Sequence, residues 1–211
     1  LRPRRSGDLS AVIGAGTGLG MALVSWSTDA RPRAVAHATE GGHADFAPRT
    51  DEQFALLQFL REKHGRVSVE RVVSGLGLAE LYAFQCDRGV TTSPSVRAAI
   101  AAGDAGAEIT ARARRDSDPA CAATLRLFLE CYGAEVGNVA LRTLPRGGLY
   151  IAGGIAPRLL EELRSPTFLE ALRDKGRMRS LVESIPIDVV LDPRVGLLGA
   201  AEVACDLRRS H

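Results

Sequence analysis

The sequence predicts an α/β protein organised on a mixed sheet, with an antiparallel three-strand meander and flanking helices. Three features lead there. A strand, a glycine loop, a second strand, a turn and a third strand open the chain. Helix-period and short apolar segments alternate after them. The composition holds 22 glycines but only 5% aromatics, which favours small-residue packing and turns that approach a ligand closely over an aromatic platform for nucleic acid.

Residues 9–13 form a short apolar run that enters Gly14-Ala15-Gly16-Thr17-Gly18-Leu19-Gly20. Residues 21–27 and 34–38 are β-compatible and separated by a turn-rich linker. No helix-length amphipathic pattern follows the glycines, so the three segments read as a meander and not as a strand–helix–strand unit. Thr50 is a helix N-cap, with Asp51 and Glu52 in the first turn, Gln53 at the reciprocal position of a capping box, and Gly65 as the terminator. Ser68 opens a helical stretch through Glu70 to Val73, Ser74-Gly75-Leu76-Gly77 interrupts it, and a further piece runs from Leu78 toward Phe84. Asp118-Pro119 joins a cap to a first-turn proline, and Cys121, Leu125, Phe128, Leu129, Tyr132, Val136, Val139 and Ala140 follow with a 3.6-residue period. Residues 149–152 make a buried strand ending in Gly153-Gly154, with helical segments beyond Pro157. Residues 185–191 make another strand, with Pro186 near its start where a missing N–H is tolerated. Residues 196–207 close the chain as a helix.

At 45% hydrophobic and 25% charged, the chain has the balance of a soluble globular protein with a substantial core. A net charge of +2 sets up no field that would recruit nucleic acid or a membrane surface, and Arg2, Arg4 and Arg5 around Pro3 read as a solvated linker. No apolar stretch nears the ~20 residues of a membrane span, and no leader pattern opens the chain. Cys86, Cys121, Cys131 and Cys205 are scattered without a CxxC pair or adjacent histidine, so neither a zinc site nor a disulfide framework is implied. A reducing, cytoplasmic location is expected. Because Leu1 is not Met and a strand begins almost at once, the chain reads as cut from a longer one.

Alternate glycines between two strands let backbone N–H groups approach a phosphate, and Thr17 adds a hydroxyl. A dinucleotide-binding G-x-G-x-x-G fails in both frames, because Leu19 and Met21 stand where the last glycine belongs and a strand follows instead of a helix. Walker A is absent for want of Gly-Lys-Ser/Thr. A glycine-rich hairpin without any ligand also fits this loop taken alone. In Glu40-Gly41-Gly42-His43 the acid and the imidazole project from a tight turn, and their acceptor and donor groups suit a vicinal diol of a sugar. The alternatives are a surface loop, or a metal site for which no third ligand stands nearby. Glu70 lies in a first helical turn, where the dipole alone would favour it.

Taken together, Gly14 to Gly20, Glu40-Gly41-Gly42-His43-Ala44-Asp45-Phe46-Ala47-Pro48, and Val67-Ser68-Val69-Glu70-Arg71-Val72-Val73-Ser74-Gly75 resemble bacterial glucokinases in order and spacing. Gly147-Gly148-Leu149-Tyr150-Ile151-Ala152-Gly153-Gly154-Ile155-Ala156-Pro157-Arg158 is similar to that family's adenosine-binding segment. Asp174-Lys175-Gly176-Arg177-Met178 and Gly196-Leu197-Leu198-Gly199-Ala200-Ala201 are similar to its closing stretch. The resemblance implies the large lobe of a ribonuclease H-like, actin-like ATPase, acting in the ATP-dependent phosphorylation of glucose to glucose 6-phosphate, the first step of glycolysis. It further implies that Glu40, His43 and Glu70 hold sugar hydroxyls, that Gly14, Gly16, Thr17 and Gly18 face the ATP phosphates, and that Gly153 and Gly154 lie against the adenosine. Mg²⁺ as co-substrate ion and a homodimer are implied with them. Scattered cysteines separate the chain from the zinc-bearing repressor and kinase relatives.

One departure stands out. The family's Asp-x-Gly-Gly-Thr phosphate loop and its Asn-Asp pair, which bears the catalytic base, both precede the glycine loop and neither occurs here; Asp8 and Asp29 match neither. Roughly a hundred residues of a small lobe, a typical domain size, are therefore expected outside this sequence. Residues 1–192 are expected to be the large lobe and 193–211 a helix that returns to the small one, leaving Leu197, Leu198, Ala201, Val203, Ala204 and Leu207 exposed or covered by another chain. A non-catalytic sugar- or nucleotide-binding relative is the other reading.

Overall fold

A computed structural model describes residues 7–28 and 33–209, with side chains through Cys205. The basic opening, Asp29 and the side chain of Leu207 lie outside the described residues. Strands β1 (Ser10–Ala15), β2 (Leu19–Trp26) and β3 (Ala34–Thr39) form the expected antiparallel meander. Strands β4 (Gly148–Ala152) and β5 (Ile187–Val189) add in parallel on the other side of β1, giving the order β3-β2-β1-β4-β5. In β1, Ala11, Ile13 and Ala15 alternate inward and are wholly buried, as a strand with one core face requires. The hairpin is tighter than the glycine spacing implies. Gly14 pairs with Gly20 and Ala15 with Leu19 inside the ladder, so only Gly16-Thr17-Gly18 remain as the loop.

The helices are α1 (Asp51–His64), α2 (Gly75–Asp87), α3 (Pro94–Ala102), α4 (Ala105–Arg114), α5 (Pro119–Thr143), α6 (Leu160–Leu163), α7 (Pro166–Arg173), α8 (Arg179–Ser184) and α9 (Val195–Arg209). At the start of α1, Thr50 accepts from the Gln53 amide as expected, but the Gln53 side chain returns to the N–H of Arg49, one residue before the cap. The segment expected to interrupt a helix starts one instead. Ser74 caps α2 by accepting from Gly77 N at 2.9 Å, and residues 69–71 ahead of it form a single 3₁₀ turn. Both α3 and α4 escaped the periodicity reading although each has a capping side chain, Ser93 and Asp104. The central helix α5 puts Phe128, Tyr132, Val136 and Val139 into the core, with Tyr132 edge-on to Phe168 of α7 at 5.7 Å.

Asp118 holds the start of α5. Its carboxylate accepts from Cys121 N at 2.9 Å and from the Thr92 hydroxyl at 2.8 Å while only 2% of the residue is exposed. Burial alone would raise its pKa, but those hydrogen bonds and the Ser93 amide hold the acid below its ordinary range. Asp118→Ala should lower stability by about 1–3 kcal/mol near neutral pH. A folded pKa below the unfolded one makes this contribution fully present above about pH 4 and lost as the pH falls through the folded value. Denaturant titrations of both proteins at pH 7 and pH 3 should therefore show a gap that narrows in acid; a gap of constant size would contradict the assignment.

On α9, Val195, Leu197, Leu198, Ala201, Val203 and Ala204 are exposed, Leu197 by 73%. Among the described residues no helix is long and apolar enough to cross a membrane.

Candidate active site

The glycine loop is fixed from both ends by one segment of chain. Gly16 N donates to Gly18 O at 2.8 Å, closing the turn, and Gly75 N at the head of α2 donates to Gly16 O at 2.7 Å. Five residues earlier, Glu70 Oε2 accepts from Leu19 N at 2.8 Å. The carboxylate comes so near that a Cβ on Gly18 would stand 2.4 Å from Glu70 Oε2.

Behind the loop opens a cavity of about 810 Å³, walled by Gly16 and Thr17, the first turns of α2, residues 103–114 and residues 154–159. Arg114 is gripped at its wall by both oxygens of Glu162, at 2.6 and 2.8 Å. That bidentate pair holds the Glu162 carboxyl below its usual range. Asp104 caps α4 by accepting from Ala107 N and reaches Arg158 Nη1 at 3.2 Å. The Ala107 amide chiefly, with Arg158, keeps Asp104 ionised to lower pH than usual. Both arginines are paired to carboxylates, and Thr17, Leu76, Leu78, Thr110 and Ile155 line the cavity beside its glycines and alanines.

Beyond β4, the parallel neighbour of β1, the chain passes the end of β1 at Ala15 to reach this cavity. Gly153 turns at φ +86°, Ile155 N donates to Ala15 O at 3.2 Å, and Gly154 opens onto the cavity.

On the other side of the glycine loop, two 3₁₀ turns, Gly41–His43 and Val69–Arg71, are joined by Val69 N donating to Ala44 O at 2.9 Å. Arg66 braces the first turn, donating to His43 O and to Asp45, each at 2.7 Å. The result is a row of side chains. His43 Nε2 lies 3.7 Å from Glu40 Oε2, and His43 Nδ1 lies 3.9 Å from Glu70 Oε1. The side chain of Glu40 is 89% exposed, that of His43 59% and that of Glu70 32%, so the row reaches solvent, with Glu70 Oε2 already engaged by Leu19 N. The two carboxylates can accept from adjacent hydroxyls, and the imidazole between them can donate to one.

Sequence reasoning named nine site residues, and the structure sorts them. Glu40, His43 and Glu70 come together; Gly16, Thr17 and Gly154 line the cavity. Gly14, Gly18 and Gly153 sit where two chain segments nearly touch: Gly14 against Ala152 and Gly153, Gly18 against Glu70, and Gly153 against Ala15. The wall residues Asp104, Arg114 and Arg158, with Glu162 as the partner of Arg114, were missed. The Ser93-Pro94 and Gly103-Asp104 helix starts were their only sequence signal, since the ion pairs join residues 48 and 54 apart. Among the described residues no three His, Cys, Asp or Glu side chains converge as metal ligands.

A meander extended by parallel strands, with a glycine-walled cavity at the hairpin, defines the actin-like ATPase fold of sugar kinases. The backbone matches a glucokinase from an Antarctic psychrotroph with a TM-score of 0.80 at 33% identity, covering 95% of this chain and 59% of that one. It shares the fold of a ROK family glucokinase from Streptomyces griseus, with a TM-score of 0.56 at 21% identity, over 94% of this chain and 61% of the other. The glucokinase family model matches residues 2–207, and the chain belongs to the glucokinase family. The glucokinase of Trichormus variabilis is 46% identical over 211 residues, covering 93% of this chain and 61% of the relative. That of Synechocystis is 41% identical over 208 residues, covering 92% and 58%. The chain thus spans about three fifths of the length of the curated relatives it matches.

Proposed function

We propose that this chain is the sugar- and nucleotide-holding part of an ATP-dependent glucokinase. One observation carries the reading: Glu70 of the polar row is hydrogen-bonded to the loop that walls the cavity, so two ligands of different chemistry would meet at a common partition. The relatives named above, glucokinases at 41–46% identity, support it. In this reading Glu40, His43 and Glu70 bind glucose hydroxyls, the cavity takes ATP, and Gly16, Thr17 and Gly18 face its phosphates, with the N–H groups of Thr17 and Gly18 and the Thr17 hydroxyl as donors.

The reaction transfers the γ-phosphoryl group to the sugar 6-hydroxyl, giving glucose 6-phosphate and ADP. It needs positioning and charge neutralisation more than covalent help from the protein. Mg²⁺, when bound, would neutralise charge on the phosphates. The base that accepts the hydroxyl proton would be the Asp of the family's Asn-Asp pair, a motif outside these 211 residues. Residues 193–211 would pack on that further lobe. A cytoplasmic homodimer completes the reading.

The test is kinetic, on the protein that carries this chain. A coupled assay should detect glucose 6-phosphate, and His43→Ala or Glu70→Gln should raise the glucose KM by roughly tenfold or more, the scale of one or two lost hydrogen bonds to a charged group. Unchanged sugar kinetics in both variants would refute the pocket assignment. The absence of the Asn-Asp pair favours a second reading for the 211 residues alone: they would bind glucose and nucleotide without turnover.

A further inference from the structure

We infer that Glu70 couples the two ligand sites mechanically, so that glucose and nucleotide each tighten the other's binding through its carboxylate. The inference rests on the sugar and nucleotide assignments above and adds a device they do not require. The two oxygens of Glu70 have separate employers. Oε2 is held by the Leu19 amide at the exit of the glycine loop, and Oε1 faces His43 at 3.9 Å within the polar row. Leu19 N is the first N–H after Gly16-Thr17-Gly18, so whatever fixes the carboxylate fixes the loop's trailing end. The leading end is tied to the same segment through Gly75 N and Gly16 O.

A carboxylate at the end of two methylene groups, one-third exposed, has rotamer freedom to lose. A sugar hydroxyl donating to Oε1 removes that freedom and leaves Oε2 seated on Leu19 N. The loop is then already ordered when phosphates arrive, and less entropy is lost in binding them. Linkage requires the reverse effect to be equal: phosphates that order the loop present a preset carboxylate to the sugar. Gly18 acquires a reason beyond the phosphates. It does not line the cavity, and its missing side chain is what lets Oε2 reach the loop, since a Cβ there would lie 2.4 Å from that atom.

The experiment is a coupling measurement by calorimetry on the protein that carries this chain. Glucose affinity is measured with and without a saturating β,γ-imido analogue of ATP, in wild type, Gly18→Ala and Glu70→Gln. In wild type the analogue should tighten glucose binding by roughly tenfold, within the usual range of coupling factors. An alanine Cβ at 18 meets only the end of a flexible side chain, so Gly18→Ala should fold normally, and the coupling factor, being a ratio of glucose affinities with and without the analogue, is read apart from any change in either single affinity. Its coupling factor should fall at least fivefold, because the carboxylate is displaced from Leu19 N. Glu70→Gln should bind glucose more weakly yet retain most of the coupling, since the amide oxygen can still accept from Leu19.

Undiminished coupling in Gly18→Ala would overturn the inference, as would loss of coupling in Glu70→Gln with retention in Gly18→Ala. No coupling in a wild type that binds both ligands would also overturn it while leaving the functional reading intact. A wild type that binds neither glucose nor the analogue would instead refute that reading.

Discussion

Gly42→Ala is expected to abolish measurable hexose binding and to lower the melting temperature, while Gly41→Ala, one residue away, leaves both close to wild type. The contrast comes from what each new methyl group would strike. At Gly42 an ideal Cβ stands 2.0 Å from Leu19 O and 3.0 Å from Leu19 C, backbone atoms of the central hairpin. At Gly41 the first contact is Met21 Sδ at 2.6 Å, the far end of a flexible side chain that can rotate away. Relief at position 42 must come from lifting the 3₁₀ turn off β2, which carries Glu40 and His43 away from Glu70. Overpacking of that kind costs about 1–3 kcal/mol, or roughly 2–12 °C in a domain of this size. The separation of three hydrogen-bonding groups should weaken glucose binding by about a hundredfold or more. Thermal unfolding and glucose titration of the two variants decide the matter. Equal behaviour of the pair would mean that the turn does not rest on β2 as described.

How far the sequence could anticipate this site depends on the range of each interaction. The meander was legible because the short apolar run in residues 9–13 and the turn residues around 28–33 act locally. The polar row was legible because two glycines in Glu40-Gly41-Gly42-His43 exclude an ordinary helix and force the acid and the imidazole out of a turn. What could not be read is which glycine meets which strand. Gly41 and Gly42 are equivalent as text, and only the packing on Leu19 distinguishes them. Likewise Ser74-Gly75-Leu76-Gly77 carries two poor helix formers, which argues for a break. The tertiary bond from Gly75 N to Gly16 O, and Ser74 as a cap, turn it into a helix start. The cavity wall was invisible for a third reason: α4 is short, mixes alanines with arginines, and gains its place from ion pairs to residues some fifty positions later.

Gly153→Ala should disable the nucleotide side as thoroughly as Gly42→Ala disables the sugar side, and the neighbouring glycine again supplies the control. Gly153 occupies the left-handed region at φ +86°, and a Cβ there would stand 2.3 Å from Ala15 O, 2.8 Å from Ala15 C and 2.9 Å from Ala15 N. Three atoms of one backbone residue cannot all yield without parting β4 from β1, the paired strands at the centre of the sheet. Conformational strain and overpacking together should cost about 2–5 kcal/mol. Parting the strands would also break Ile155 N from Ala15 O and withdraw residues 154–159 from the cavity. Gly154 has nothing within 4 Å of the equivalent position, so Gly154→Ala should fold as wild type. Gly154→Val, which adds bulk where the residue lines the cavity, should weaken binding of the β,γ-imido ATP analogue by tenfold or more and leave glucose affinity in its absence within about twofold. Denaturant unfolding and analogue titration across the three variants separate the sheet's need for a glycine from the ligand's. If Gly153→Ala proves as stable as Gly154→Ala, the approach of Gly153 to Ala15 is not as tight as the geometry requires. If Gly154→Val binds the analogue normally, the nucleotide does not use this wall.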